Sequence, residues 1–163
     1  MRSTTSQYYK LLLTYLLVIA TSSHILGQTN PLQGDIKVHD PVMIKQGDTY
    51  YVFHTGKGIS IKTSTDRIHW KNAGRVFSAT DMPAWFKTDI PNQDGSLWAP
   101  DVHFYKGVYY LYYSVSAWMN FNSSVGFATN TTLDAADPAY KWVDHGPVTV
   151  SYTHLTLPTK RIV

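Results

Sequence analysis

The side chains best suited to chemistry in this 163-residue chain are its acids, and all 11 of them are aspartates; there is no glutamate and no cysteine. Disulfide scaffolds and cysteine-based zinc sites are therefore excluded. Asp40 stands between His39 and Pro41. It reads either as a carboxylate able to take a proton or as a turn residue bonding its own backbone ahead of the proline. Asp66, in Ser64-Thr65-Asp66, has the setting of a turn former between strands, and Asp101 is balanced between ligand contact and turn capping. Asp134 and Asp137 fall in an inserted stretch and read as surface loop. The seven histidines form no His-x-x-x-His pair. His54, His69, His103 and His145 read as structural or surface residues, while His39 is placed to help orient Asp40.

Residues of this kind need rigid elements to hold them, and the composition points to strands. Aspartate favours turns and caps over helix interiors. Twelve tyrosines, five tryptophans and many Val, Ile and Thr residues favour pleated sheets with wide aromatic surfaces. The expected class is all-β. The formal charge of +3 carries little meaning. Arg2, Lys10, Lys160 and Arg161 lie at the two ends, and setting these four of the 14 basic residues aside leaves 10 against 11 aspartates, a net of −1. No basic surface for nucleic acid or an anionic membrane is expected.

Three segments divide the chain. Residues 1–27 have the form of a signal peptide, with Arg2 and Lys10 ahead of the apolar run Leu11 to Ala20 and cleavage expected between 22 and 27. The run is short for a bilayer span, so a soluble, secreted or periplasmic protein with no membrane attachment after cleavage is expected. Residues 28–151 form the body. Residues 152–163, beginning at Tyr152, continue no pattern of the body and read as translated vector or adaptor sequence. Asn122-Ser123-Ser124 and Asn130-Thr131-Thr132 match glycosylation acceptors.

Within the body lies an internal repeat. Asp40 to Phe77 and Ala99 to Val148 align with Pro41 on Pro100, Tyr50-Tyr51 on Tyr109-Tyr110, Thr63 on Thr129, Trp70 on Trp142 and Gly74 on Gly146. Each copy reads as four short strands. In the first they fall near Val42–Lys45, Thr49–Thr55, Ile59–Ser64 and Trp70–Phe77, with Gly56-Lys57-Gly58 among the turns. The Val108–Val115 strand is almost continuously apolar and is expected to be buried on both faces. Four-stranded units in tandem predict a β-propeller, of which this chain carries about two blades. An eight-stranded sandwich is the alternative.

The stretch His39-Asp40-Pro41-Val42-Met43-Ile44-Lys45 resembles the opening motif of family 43 glycoside hydrolases, as does Leu97-Trp98-Ala99-Pro100-Asp101-Val102. Tyr112-Tyr113-Ser114-Val115-Ser116, followed by Asn122 to Thr129, is similar to the endo-α-1,5-L-arabinanase branch. The resemblance covers about Gly34 to Val150. It implies a five-bladed propeller and inverting hydrolysis of arabinan, a plant cell-wall polysaccharide. It makes Asp40 the general base. It implies substrate contacts from His39, Trp98, Asp101, Trp118 and Met119, the last at a position where glycine is expected. The family's general acid is a glutamate of a later blade, and this chain has none. A calcium ion on the propeller axis is implied for the intact protein, with its ligand from a later blade, so no cofactor or metal is expected within this chain. Exo-acting xylosidases or arabinofuranosidases of the same family, and a non-catalytic carbohydrate-binding fragment, are the competing functional readings.

Overall fold

A computed structural model describes residues 31–119 and 122–149. The expected leader and the 152–163 tail lie outside the described residues. Ten strands and one helix follow in order: β1 (Gln33–Gly34), β2 (Val42–Gln46), β3 (Thr49–His54), β4 (Gly56–Lys57), β5 (Ser60–Ser64), β6 (His69–Arg75), α1 (Trp85–Asp89), β7 (Ser96–Tyr105), β8 (Val108–Ser116), β9 (Ser123–Asn130) and β10 (Val143–Thr149). They form two five-stranded sheets, ordered β1-β6-β5-β3-β2 and β10-β9-β8-β7-β4. Within each, four antiparallel strands follow chain order from the inner strand outward, which is the blade pattern the repeat predicts. The mostly strand content agrees with the all-β expectation.

The strand registers bear out the repeat residue by residue. Tyr50 pairs with Ser64, and Tyr109 with Asn130. Thr63 pairs with Lys71, and Thr129 with Val143. The outer strands also share a defect. Between Asn72 and Arg75, and between Asp144 and Pro147, the outer strand carries one residue more than its partner. Gly74 and Gly146 sit in these bulges with φ of 91° and 82°. A bulge of this form needs a left-handed residue, which explains glycine at both repeat positions.

The core lies between the two sheets. Tyr51 and Phe53 of β3 and Ile61 of β5 face Tyr109, Leu111, Tyr113 and Val115 of β8. Phe53 meets the Trp142 ring edge-on at 5.8 Å, so the repeat tryptophan of the second blade is a packing residue as expected. Trp70 is half-buried, and its Nε1 donates to the Arg67 carbonyl at 3.1 Å. Removing one such aromatic side chain from water contributes about 2–3 kcal/mol. Helix α1 adds Phe86 to the core and the residue that ends it adds Ile90, with Phe86 6.1 Å from the Tyr113 ring. Tyr113 donates to Asp144 Oδ1 at 2.7 Å, and Trp85 Nε1 donates to Asp144 Oδ2 at 3.1 Å. Burial, reinforced by that carboxylate, pushes the Tyr113 hydroxyl far above the usual phenol range. Asp144 thus ties α1, β8 and β10 together.

Two expectations need correction. The Val108–Val115 strand is not buried on both faces: Tyr109, Leu111, Tyr113 and Val115 are inward, while Tyr112 is open to solvent. The outward side carries an aromatic row in which Tyr110 and Tyr112 stack on Phe127, and Phe127 on His145 at 4.9 Å. An apolar run of that kind fits a strand whose second face packs against a further sheet, as each blade of a propeller does on both sides. Likewise, Gly56-Lys57 is not only turn. It forms β4, which leaves the first blade and pairs with Leu97 and Ser96 of the second. A two-residue strand has too little pattern to be seen in sequence.

Lys57 secures that crossing. Its Nζ lies 2.7 Å from Asp94 Oδ2 and donates to the Asp94 carbonyl at 2.6 Å. The ammonium, with the Ser96 N–H next, pulls the Asp94 carboxyl down to about 2. A carboxyl lowered on folding stabilises above its unfolded value and loses that contribution as pH falls through its folded value. We expect Asp94→Asn to lower the urea midpoint slightly at about pH 6, with the gap to the parent closing as pH drops from about 4 to about 2. A gap that is constant across this range would refute the assignment.

The loop aspartates behave as read. Asp66 Oδ1 accepts from Ser64 Oγ and from the N–H groups of Ile68 and His69, and Oδ2 lies 2.6 Å from His69 Nδ1. These donors hold its carboxyl well below the usual range. Asp134 and Asp137 are exposed and accept from Ala136 and Ala139 N–H in two local turns. Asn130 and Thr132 are buried, so the second glycosylation motif is inaccessible in the folded chain, while Asn122 of the first is exposed.

Candidate active site

In an antiparallel ladder the end of one strand lies beside the start of the next. β3 ends where β2 begins, and β8 ends where β7 begins, with Leu97 opposite Val115. Because inner strands β2 and β7 run side by side, their starts come together at one rim of the blade pair. His39, Asp40, Trp98 and Ala99 all lie at these starts, and Trp118 and Met119 follow the end of β8 at the same rim.

Asp40 is held in an unusual way. Its φ is 46°, and Ala99, at the matching position of the second repeat, has a φ of 44°. Each precedes a proline, which ordinarily drives the residue before it to extended backbone. Left-handed non-glycine residues cost energy and persist where surrounding structure enforces them. Asp40 Oδ2 accepts from the Thr55 hydroxyl at 3.2 Å and lies 3.3 Å from His39 Nε2. These partners are side chains, so the carboxylate is not spent on its own turn. Its side chain is 47% exposed, which leaves it open to water and ligand.

Thr55 was not found from sequence. Its N–H donates to the His39 carbonyl at 2.9 Å, and its carbonyl accepts from His54 Nδ1 at 2.8 Å. Its Oγ1 accepts from the Ala99 N–H at 2.9 Å while donating to Asp40. Burial lowers the pKa of His54, and because the Thr55 carbonyl can only accept, Nδ1 is the ring nitrogen that carries the proton. The usable signal was the repeat itself, for Thr55 aligns with Ser114, and Ser114 sits opposite Trp98 as Thr55 sits opposite His39.

The other candidate residues divide into two groups. Trp98 is half-buried beside the Ala99 corner, and Trp118 is 85% exposed, an apolar plate offered to solvent. Met119 has φ 61°, the left-handed conformation that favours the glycine expected there. Asp101 lies further along β7, opposite Tyr112 and on its exposed face, away from the Asp40 contact network. No group of three His, Cys, Asp or Glu side chains able to hold a metal occurs among the described residues.

The model of the family described as glycosyl hydrolases family 43 matches residues 29–157. The chain belongs to that family. Among its family 43 relatives, an extracellular exo-α-(1→5)-L-arabinofuranosidase of Cellvibrio japonicus is 49% identical over 113 residues, covering 69% of this chain and 32% of the relative. An extracellular endo-α-(1→5)-L-arabinanase of Bacillus subtilis is 35% identical over 115 residues, covering 68% of this chain and 34% of the relative. A solved Cellvibrio cellulosa α-L-arabinanase, complexed with arabinohexaose, superposes with a TM-score of 0.69 at 47% identity over 72% of this chain and 37% of that one. The chain therefore spans about a third of the length of these relatives, and its two sheets are two blades of the family's five-bladed propeller.

Proposed function

We propose that the whole protein cleaves α-1,5-linked arabinan by inverting hydrolysis, with Asp40 drawing the proton from the attacking water. The observation that supports this most is the exposed Asp40 carboxylate, fixed by Thr55 and His39 on the rim that also presents Trp98 and Trp118. Inversion needs a base and an acid roughly 6.5–9.5 Å apart, leaving room for water between them. Tryptophan faces suit the C–H surfaces of a sugar chain, and their rigidity limits the entropy lost on binding. His39, Trp98, Asp101, Trp118 and Met119 are the proposed substrate contacts, with Asp101 set apart from the others along β7. The proton donor is a glutamate of another blade, for these 163 residues contain none. This stretch alone accordingly carries no turnover of its own. An axial calcium, where present, is held from another blade. Export through the 1–27 leader agrees with relatives that are named extracellular, and no helix among the described residues is long and apolar enough to cross a membrane.

Exo action is the second reading, favoured by the 49% identity to an exo-acting relative. Linear arabinan digested by the full five-bladed protein separates the two. Internal cleavage gives a ladder of oligosaccharides from the first minutes, whereas a single small product from the outset would discard the endo reading. Proton NMR during the same digest should show the β-anomer first. Initial release of the α-anomer would end the inverting proposal.

A further inference from the structure

We propose that Thr55 is the positioning residue for the Asp40 carboxylate, and that it sets the carboxylate's aim by joining it to the second blade. The proposal rests on the reading of Asp40 as base. A threonine hydroxyl has one proton to give and lone pairs to receive with. Here the proton goes to Asp40 Oδ2 at 3.2 Å, and the Ala99 N–H is received at 2.9 Å. The backbone of Thr55 is fixed on both sides, by the His39 carbonyl and by His54 Nδ1. Four contacts therefore hold one hydroxyl in one place, and the donor on the other side of it belongs to the next blade.

The direction of the hydrogen bonds follows from this. The Ala99 N–H can only donate, so it takes a lone pair of Oγ1 and directs the hydroxyl proton elsewhere. The acceptor within reach is Asp40. The carboxylate oxygen bonded to Thr55 is thereby engaged, and the other oxygen is left to face water. The repeat sharpens the point. Ser114 keeps a hydroxyl at the equivalent site, but Ala99 stands where Asp40 stands, so only the first blade pairs the hydroxyl with an acid.

Three variants of the full five-bladed protein test this on linear arabinan. Thr55→Val keeps the shape and removes the hydroxyl; kcat should fall about ten- to a hundredfold with KM within about twofold, since misaimed groups lose rate more than binding. Thr55→Ser should recover most of the loss. In an Asp40→Asn background, Thr55→Val should change the residual rate little, because there is no base left to aim. A kcat within twofold of the parent for a folded Thr55→Val would overturn the proposal, as would an equal loss in the Asp40→Asn background. Should Thr55→Val not fold, Thr55→Cys takes its place under the same criteria, and failure of both to fold would assign Thr55 to the scaffold and also overturn it. Near-parental activity of Asp40→Asn alone would instead remove the base assignment, so the two failures are distinguishable.

Discussion

Asp40→Asn in the full five-bladed protein should lower turnover of linear arabinan at least about a hundredfold and leave the melting midpoint where it was. Asparagine is the informative replacement for two structural reasons. First, residue 40 has φ 46°, and Asn is among the few side chains that tolerate this region. Alanine there would add backbone strain of about 1 kcal/mol and blur the result. Second, the amide oxygen can still accept from the Thr55 hydroxyl, so the local network survives. What is lost is the capacity to take a proton. Hydrolysis rates with matched unfolding curves would check it. A rate within a few fold of the parent would take Asp40 out of the mechanism.

The second large effect is on stability. Gly126 of β9 lies under the ring of Tyr113, and a Cβ added there would overlap Cε2 and Cζ and stand 2.7 Å from the hydroxyl. The ring has little freedom to move. It is almost wholly buried, packs edge-on to Phe77 at 5.6 Å and is tethered to Asp144. Gly126→Ala should therefore destabilise by about 2–3 kcal/mol, read as a lower urea midpoint in the full protein. Pairing it with Tyr113→Leu should cost less than the two changes summed, by roughly 1 kcal/mol, since the smaller side chain makes room. Gly126→Ala within about 0.5 kcal/mol of the parent would show that the ring yields, contrary to its packing.

These two positions also show what can be read from sequence alone. The blades were legible because their signals are periodic and occur twice. Trp142, Gly74 and Gly146 could be placed by alignment of one repeat on the other, and the registers agree. Asp40 was legible through a motif of adjacent residues. Thr55 was not, because its importance lies in contacts 15 and 44 residues away along the chain, and a threonine after a strand resembles any turn residue. Asp144 was hidden for the same reason: its partners Tyr113 and Trp85 are 31 and 59 residues distant. Helix α1 and strands β1 and β4 are too short to leave a periodic trace.

The exposed outer side of the first blade bears on the order in which the protein is made. Leu32, Ile36, Val38 and Met43 line an apolar groove with Val52 and Trp70 on the side turned away from the second blade. In a closed ring the neighbour on that side is the last blade. A blade encoded later in the chain leaves the ribosome after this one, so the groove is made before the surface that covers it. Until that blade arrives the greasy groove remains bare, whereas the aromatic row around Phe127, on the free face of the second blade, waits only for the next blade in the chain. Closing the ring links residues far apart in time as well as in sequence, a step that favours slow assembly and leaves the uncovered groove open to non-native contacts meanwhile.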